Sequence, residues 1–255
     1  MITIEEPELE EVLLSTPLYP DYFLGIFHTI ILHRTFPTLS FRGGVVSYTS
    51  CIGTEDVDCK NFDVTYVRVT SKALHEKVSE PVLSFSKLLS EELQTSPSGI
   101  AKGSISLAFV TNRKGSWVLG ADSFPWERWT INIELQLPRK AESEEYRRKL
   151  SSQLQGELLY VLDCINTPEN YLPELGSSQA DCESLIDFSM PEISPYRFKI
   201  AYNTGTRPTM SGKPLGVRHD DGEISVKMPT GNMNIPGRQV SFGPHLAYPD
   251  AGSNP

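Results

Sequence analysis

Residues 116–137 read SWVLGADSFPWERWTINIELQL, and the second half of that stretch is a strand written in the clearest code available to a chain. Trp129, Ile131, Ile133, Leu135 and Leu137 alternate with Thr130, Asn132, Glu134 and Gln136. A period of two puts one set on a core and the other in water. Before the strand, Trp117, Val118 and Leu119 stand between Gly115 and Gly120, and glycines on both sides argue for a loop. Upstream, Ser104 to Thr111 (SISLAFVT) reads as a partner strand with Ile105, Leu107 and Phe109 on one face. The stretch is therefore expected to be a hairpin that carries an apolar finger.

The polar frame around the tip, Asn112-Arg113-Lys114-Gly115 before and Gly120-Ala121-Asp122 after, predicts an exposed Trp117 rather than a buried one. An exposed tryptophan is a natural binding anchor, because Trp is enriched among residues that dominate interfaces. Trp126 and Trp129, three apart in a strand, are expected on opposite faces, with Trp129 in the core.

Outward from the hairpin, Leu9 to Leu14 predicts a short strand, and Asp21 an N-cap for a helix through Arg34. That helix is apolar nearly all round (Phe23, Leu24, Ile26, Phe27, Ile30, Ile31, Leu32), so it belongs in the centre of the fold. His33 and Arg34 suit the negative end of its dipole. Val45–Ile52 and Asn61–Val69 read as strands, with Gly53–Cys59 (GTEDVDC) as a turn between them. A second helix is expected over Lys72–Leu93, kinked at Pro81. A third is expected over Glu142–Ile165, its stripe formed by Tyr146, Leu150, Leu154, Leu158, Val161 and Ile165. Pro191–Tyr202 offers a last alternating strand. Three helices on a largely antiparallel sheet make an α+β body over residues 1–202. Residues 203–255 carry 8 Gly and 7 Pro, a composition that predicts a disordered tail.

Composition narrows the function. With 255 residues, 39% hydrophobic and 22% charged, the chain reads as an ordinary globular protein. A net charge of −9 argues against a nucleic-acid partner. The acidic start MITIEEPELEEVLL is the opposite of a secretory leader, and Cys51, Cys59, Cys164 and Cys182 show no CxxC spacing. Reduced thiols in a cytoplasmic protein are the expectation. The longest apolar run, Tyr22–Leu32, falls short of the roughly 18 residues a membrane span needs, so no transmembrane segment is expected.

Chemistry finds little footing. Asp56 and Asp58 lack EF-hand spacing, and His28 and His33 lie about 140° apart around a helix, so no metal is expected. A turn whose Asp side chains bond backbone amides is the better reading of Gly53–Cys59. A Cys/His hydrolase would need Cys51 or Cys59 beside His28, His33 or His75, and no nucleophile turn or phosphate loop accompanies them. The chain is expected to have no enzymatic activity and no cofactor.

HTIILHR (His28–Arg34), GTEDVDC with NFDVTYVRV close behind, and PWERWT (Pro125–Thr130), in that order, resemble the autophagy-related protein 101 family over most of residues 20–165. The resemblance implies a HORMA-like fold and a non-enzymatic adaptor in the complex built on the autophagy-initiating Ser/Thr kinase. The implied partner is the HORMA domain of autophagy-related protein 13, paired through the third helix, where Arg147, Arg148 and Gln155 are candidates; Glu157 lies with them on its polar side. The resemblance also implies a WF finger that recruits downstream autophagy factors at the phagophore assembly site. Trp117 lies eight residues before Pro125, the family's spacing, and Val118 and Leu119 complete the tip. The family's second aromatic falls on Leu119. The chain also lacks the helical ending of animal relatives. The alternative within the fold is a HORMA protein that embraces a peptide with a mobile C-terminal belt. The Gly/Pro content beyond Asn203 suits that poorly.

Overall fold

The computed structural model describes residues 12–15, 20–42, 45–112, 123–136, 144–167, 172–176, 178–205 and 207–210. In chain order the elements are β1 (Val12–Ser15), α1 (Pro20–Leu32), β2 (Thr35–Pro37), β3 (Leu39–Arg42), β4 (Val45–Tyr48), β5 (Thr54–Asp58), β6 (Thr65–Val69) and α2 (Lys72–Thr95). They continue with β7 (Ile100–Asn112), β8 (Ser123–Gln136), α3 (Glu144–Asn166), α4 (Gln179–Leu185), β9 (Ile193–Pro195), β10 (Phe198–Thr204) and β11 (Arg207–Met210).

The long β7–β8 hairpin is the spine. Its antiparallel register runs from Ile100 opposite Gln136 to Asn112 opposite Ser123, and it forms the middle of a five-stranded sheet ordered β1-β8-β7-β10-β11. β1 pairs with β8 in parallel; the other neighbours are antiparallel. Alternation does what the sequence says. Ile105, Leu107, Trp129, Ile131, Ile133, Leu135, Phe198 and Ile200 are buried on one face. Ser104, Ser106, Thr130 and Asn132, on the other, are not. Three further two-stranded pairs are β2-β9, β3-β4 and β5-β6.

α1 is the central helix its composition predicts: Tyr22 through Ile31 are all buried, and it packs against α2, α3 and β6. Asp21 does not act as its N-cap. The helix starts at Pro20, and the Asp21 carboxylate instead accepts a hydrogen bond from the Lys60 backbone N–H at 3.0 Å. α2 opens on Ser71, whose hydroxyl accepts from the Leu74 N–H, and lays Leu74, Val78, Val82, Phe85, Leu89 and Leu93 into the core. Pro81 lies inside it, buried. Where α2 crosses β7 the sheet carries Gly103, because a Cβ there would stand 2.9 Å from the Asn203 carbonyl oxygen and 3.0 Å from the Phe85 ring.

Three further expectations need correction. There are four helices among the described residues, not three: α4 is seven residues long, capped by Ser178, and too short to show a periodicity. Gly53–Cys59 is not a turn, since Thr54–Asp58 forms β5, paired with β6 from Thr54 opposite Val69 to Asp58 opposite Thr65. Two of its acidic side chains bond side chains: Glu55 accepts from Arg68 Nε at 2.8 Å and Asp58 from Thr65 Oγ1 at 2.6 Å. Finally, Trp126 and Trp129 do not face opposite ways. A register irregularity between Phe109 and Val110 breaks the alternation, and Trp126 packs on the core ring of Phe109 at 5.6 Å and on Tyr196 at 5.1 Å. The sheet also continues past Tyr202, through the end of β10 and β11.

Candidate functional site

α3 is amphipathic with an exception. Leu150, Leu154 and Val161 are buried, and Leu158 and Ile165 pack against the same core, as the stripe predicts. Leu159 and Tyr160 lie off that stripe and are 63% and 43% exposed. Tyr160 is held by a hydrogen bond to Cys164, one turn on, which raises its phenol above the ordinary tyrosine range. Exposed Ser152, Gln155 and Gly156 share this face at helical spacing, and a Cβ on Gly156 would meet nothing within 4 Å.

At its N-terminal end the same helix borders an open groove of about 480 Å³. Arg147, Arg148 and Gln155, the three helix residues singled out from the sequence, line it together with Lys60 and Phe62 from the segment between β5 and β6. All three are exposed. Arg148 lies 3.9 Å from Glu144, an i,i+4 pair in solvent. Glu157 is different: it is 7% exposed, so it does not belong to the polar side on which sequence spacing placed it. The surface thus joins basic and amide groups at one end to two bare apolar side chains at the other.

The hairpin that would carry the finger is anchored from below. Arg34, just beyond the end of α1, turns inward, and its Nε donates to Glu127 Oε2 on β8 at 2.8 Å. Trp129 Nε1 donates to the other oxygen, Glu127 Oε1, at 2.5 Å. The Arg34 carbonyl accepts from the Tyr196 N–H at 2.9 Å. Trp117, Val118 and Leu119 lie outside the described residues. The last pair before them is Asn112 opposite Ser123, and the next residue, Phe124, is 45% exposed.

Sequence reasoning missed Leu159 and Tyr160, for which the signal was two consecutive apolar residues off the helical stripe. It also missed a polar cluster between α1, α2 and β6, in which His28 Nε2 lies 3.2 Å from His75 Nδ1 and Arg68 Nη1 lies 2.8 Å from the same atom. Tryptophan and glycine stand out in a sequence; two histidines 47 positions apart do not.

Among the described residues no three His, Cys, Asp or Glu side chains are grouped to hold a metal. All four cysteines are free thiols. Burial, with Asp21 and Asp58 nearby, pushes the Cys59 thiol up to about 11, far from the thiolate a nucleophile requires. His28 bonds His75, and His75 bonds Arg68 and Ser79. No helix of the described residues is long and apolar enough to cross a membrane.

Comparison with known proteins gives a consistent result. The family described as Autophagy-related protein 101 matches residues 11–179. The chain is 31% identical over 201 residues to the Xenopus laevis protein of that name, covering 76% of this chain and 87% of the relative. The Homo sapiens protein is 28% identical over 196 residues with the same coverage. The Arabidopsis thaliana protein is 23% identical over 171 residues, covering 59% of this chain and 71% of the relative.

Proposed function

The chain belongs to the autophagy-related protein 101 family, and from that premise we propose that it is a non-catalytic, HORMA-type adaptor of autophagy initiation. It pairs with the HORMA domain of autophagy-related protein 13, stabilises it within the complex of the initiating kinase, and recruits later factors through a finger loop around Trp117. It works in the cytoplasm and is recruited to the phagophore assembly site.

The observation that carries the pairing is the outward face of α3, with Leu159 and Tyr160 bare beside a groove lined by Arg147, Arg148 and Gln155. Apolar area of this kind contributes about 25 cal/mol per Å² when covered, before the costs of association. The polar rim sets orientation more than affinity. Gly156 lets a partner helix approach closely at the centre of the face. For recruitment, the support is the position of Trp117 between the ends of β7 and β8. The Arg34–Glu127–Trp129 bonds tie that hairpin to the end of α1. Leu119 supplies an aliphatic rather than an aromatic side chain to whatever the finger meets.

Co-expression with the partner's HORMA domain tests this reading. Co-elution and a higher unfolding temperature for both chains are expected; separate elution with unchanged stability would refute it.

A further inference from the structure

We propose that His28, His75 and Arg68 form a proton-sensitive latch that holds the β5–β6 hairpin against α1 and α2 and releases it when the imidazoles take up protons. The hydrogen bonds fix the tautomers. Arg68 Nη1 can only donate, so His75 Nδ1, 2.8 Å away, is an acceptor without a proton. His28 Nε2, 3.2 Å from that same Nδ1, must then carry the hydrogen and donate it. His28 Nδ1 is left as a buried lone pair with no hydrogen-bond partner among the described residues. The His28 ring also lies beside Tyr66 of β6, with ring centroids 6.0 Å apart and the planes 11° from parallel.

Every site of proton uptake is therefore penalised while the hairpin is docked. A proton on His75 Nδ1 removes the acceptor shared by Arg68 and His28 and sets a cation against the guanidinium. A proton on His28 Nδ1 buries a charged donor with nothing to receive it. The groups facing the pair from each element are His28 from α1, His75, Glu76 and Ser79 from α2, Tyr66 and Arg68 from β6, and Glu55 from β5. Glu55 and Glu76 favour a cation on His75; Glu55 is engaged by Arg68 at 2.8 Å and Glu76 lies 3.5 Å from Lys72. Burial first, then His75 and Arg68, take His28 down to about 3, and burial and Arg68 lower His75. Both rings are thus neutral when docked. Docking stability is complete above the ordinary histidine value near 6.5 and declines as pH falls below it.

Release would reach beyond the hairpin. The segment between β5 and β6 supplies Lys60, Asn61, Phe62 and Asp63 to the groove beside α3, so the latch also holds the shape of that groove.

Hydrogen exchange of the full chain at pH 7.5 and pH 5.5, corrected for intrinsic rates, tests the latch without any partner. Protection of the Thr65–Val69 amides is expected to fall about tenfold for each histidine that gains a proton on release, up to about a hundredfold, with the β7–β8 amides unchanged. His75→Gln keeps an acceptor for Arg68 and His28 but cannot take a proton, so its loss should shrink to about tenfold. Protection of the hairpin that is independent of pH, that falls equally in β7–β8, or that falls as far in H75Q as in the parent would overturn the proposal.

Discussion

Arg34 Nε and Glu127 Oε2 lie 2.8 Å apart across 93 positions of sequence, with side chains 4% and 3% exposed. The pair ties the end of the central helix to β8, and the indole N–H of Trp129 satisfies the second carboxylate oxygen. Two of the sequence blocks by which the family is recognised, HTIILHR and PWERWT, are thereby two halves of one buried contact.

Breaking one half strands the other. Glu127→Leu leaves a buried guanidinium without its counter-charge and is expected to cost about 3–5 kcal/mol, read from urea unfolding. The double variant Arg34→Met, Glu127→Leu should cost clearly less than either single change. Additive losses would mean that the two side chains act independently.

Two glycines separate close packing from open surface. Gly103→Ala pushes a methyl into the Asn203 carbonyl and Phe85 and should destabilise by about 1–3 kcal/mol. Gly156→Ala, in a helix with open space around it, should stabilise the isolated chain by about 0.5–1 kcal/mol. Thermal unfolding of both variants provides the check.

Acid stability has a second source besides the histidines. Burial opposes ionisation of Asp187, but hydrogen bonds from Lys77 and Ser189 outweigh it and hold the carboxyl at about 2. A depressed carboxyl stabilises the fold above its unfolded value near 4, and that contribution is lost as pH falls from there toward 2. Asp187→Asn should flatten the stability profile in that window while leaving the decline below 6.5 in place.

The tryptophans are expected to divide by role. Trp129→Ala empties a core site 2% exposed and should cost about 3–5 kcal/mol. Trp117→Ala should leave both the unfolding curve and pairing with the partner unchanged yet abolish recovery of later autophagy factors. A Trp117→Ala chain as unstable as the Trp129 variant would place the indole in a core and end the finger reading.

Sheet and central helix were legible because each carries one dominant period: two in Trp129–Leu135, and apolar all round in Phe23–Ile31. β5 was not, because TEDVD is acidic and exposed, and it is a strand only through pairing with TYVRV across a tight register. Trp126 misled for a related reason, since it is the extra residue of β8 opposite the Phe109–Val110 step, and such a bulge breaks the two-residue alternation. On α3, Arg147, Arg148 and Gln155 could be placed on a polar helix side, and they do share a groove. Leu159 and Tyr160 could not, because burial depends on what covers a helix, which its own sequence does not state. The histidine cluster is tertiary throughout, built from α1, α2 and β6.

The proposed pairing surface is α3, with Leu159 at its apolar end. Calorimetric titration of the partner's HORMA domain into the parent chain and into Leu159→Asp measures that directly. The variant is expected to unfold at the parent temperature and to bind at least about thirtyfold more weakly, the loss of an interface anchor worth about 2 kcal/mol or more. Equal affinity for the two chains would contradict it.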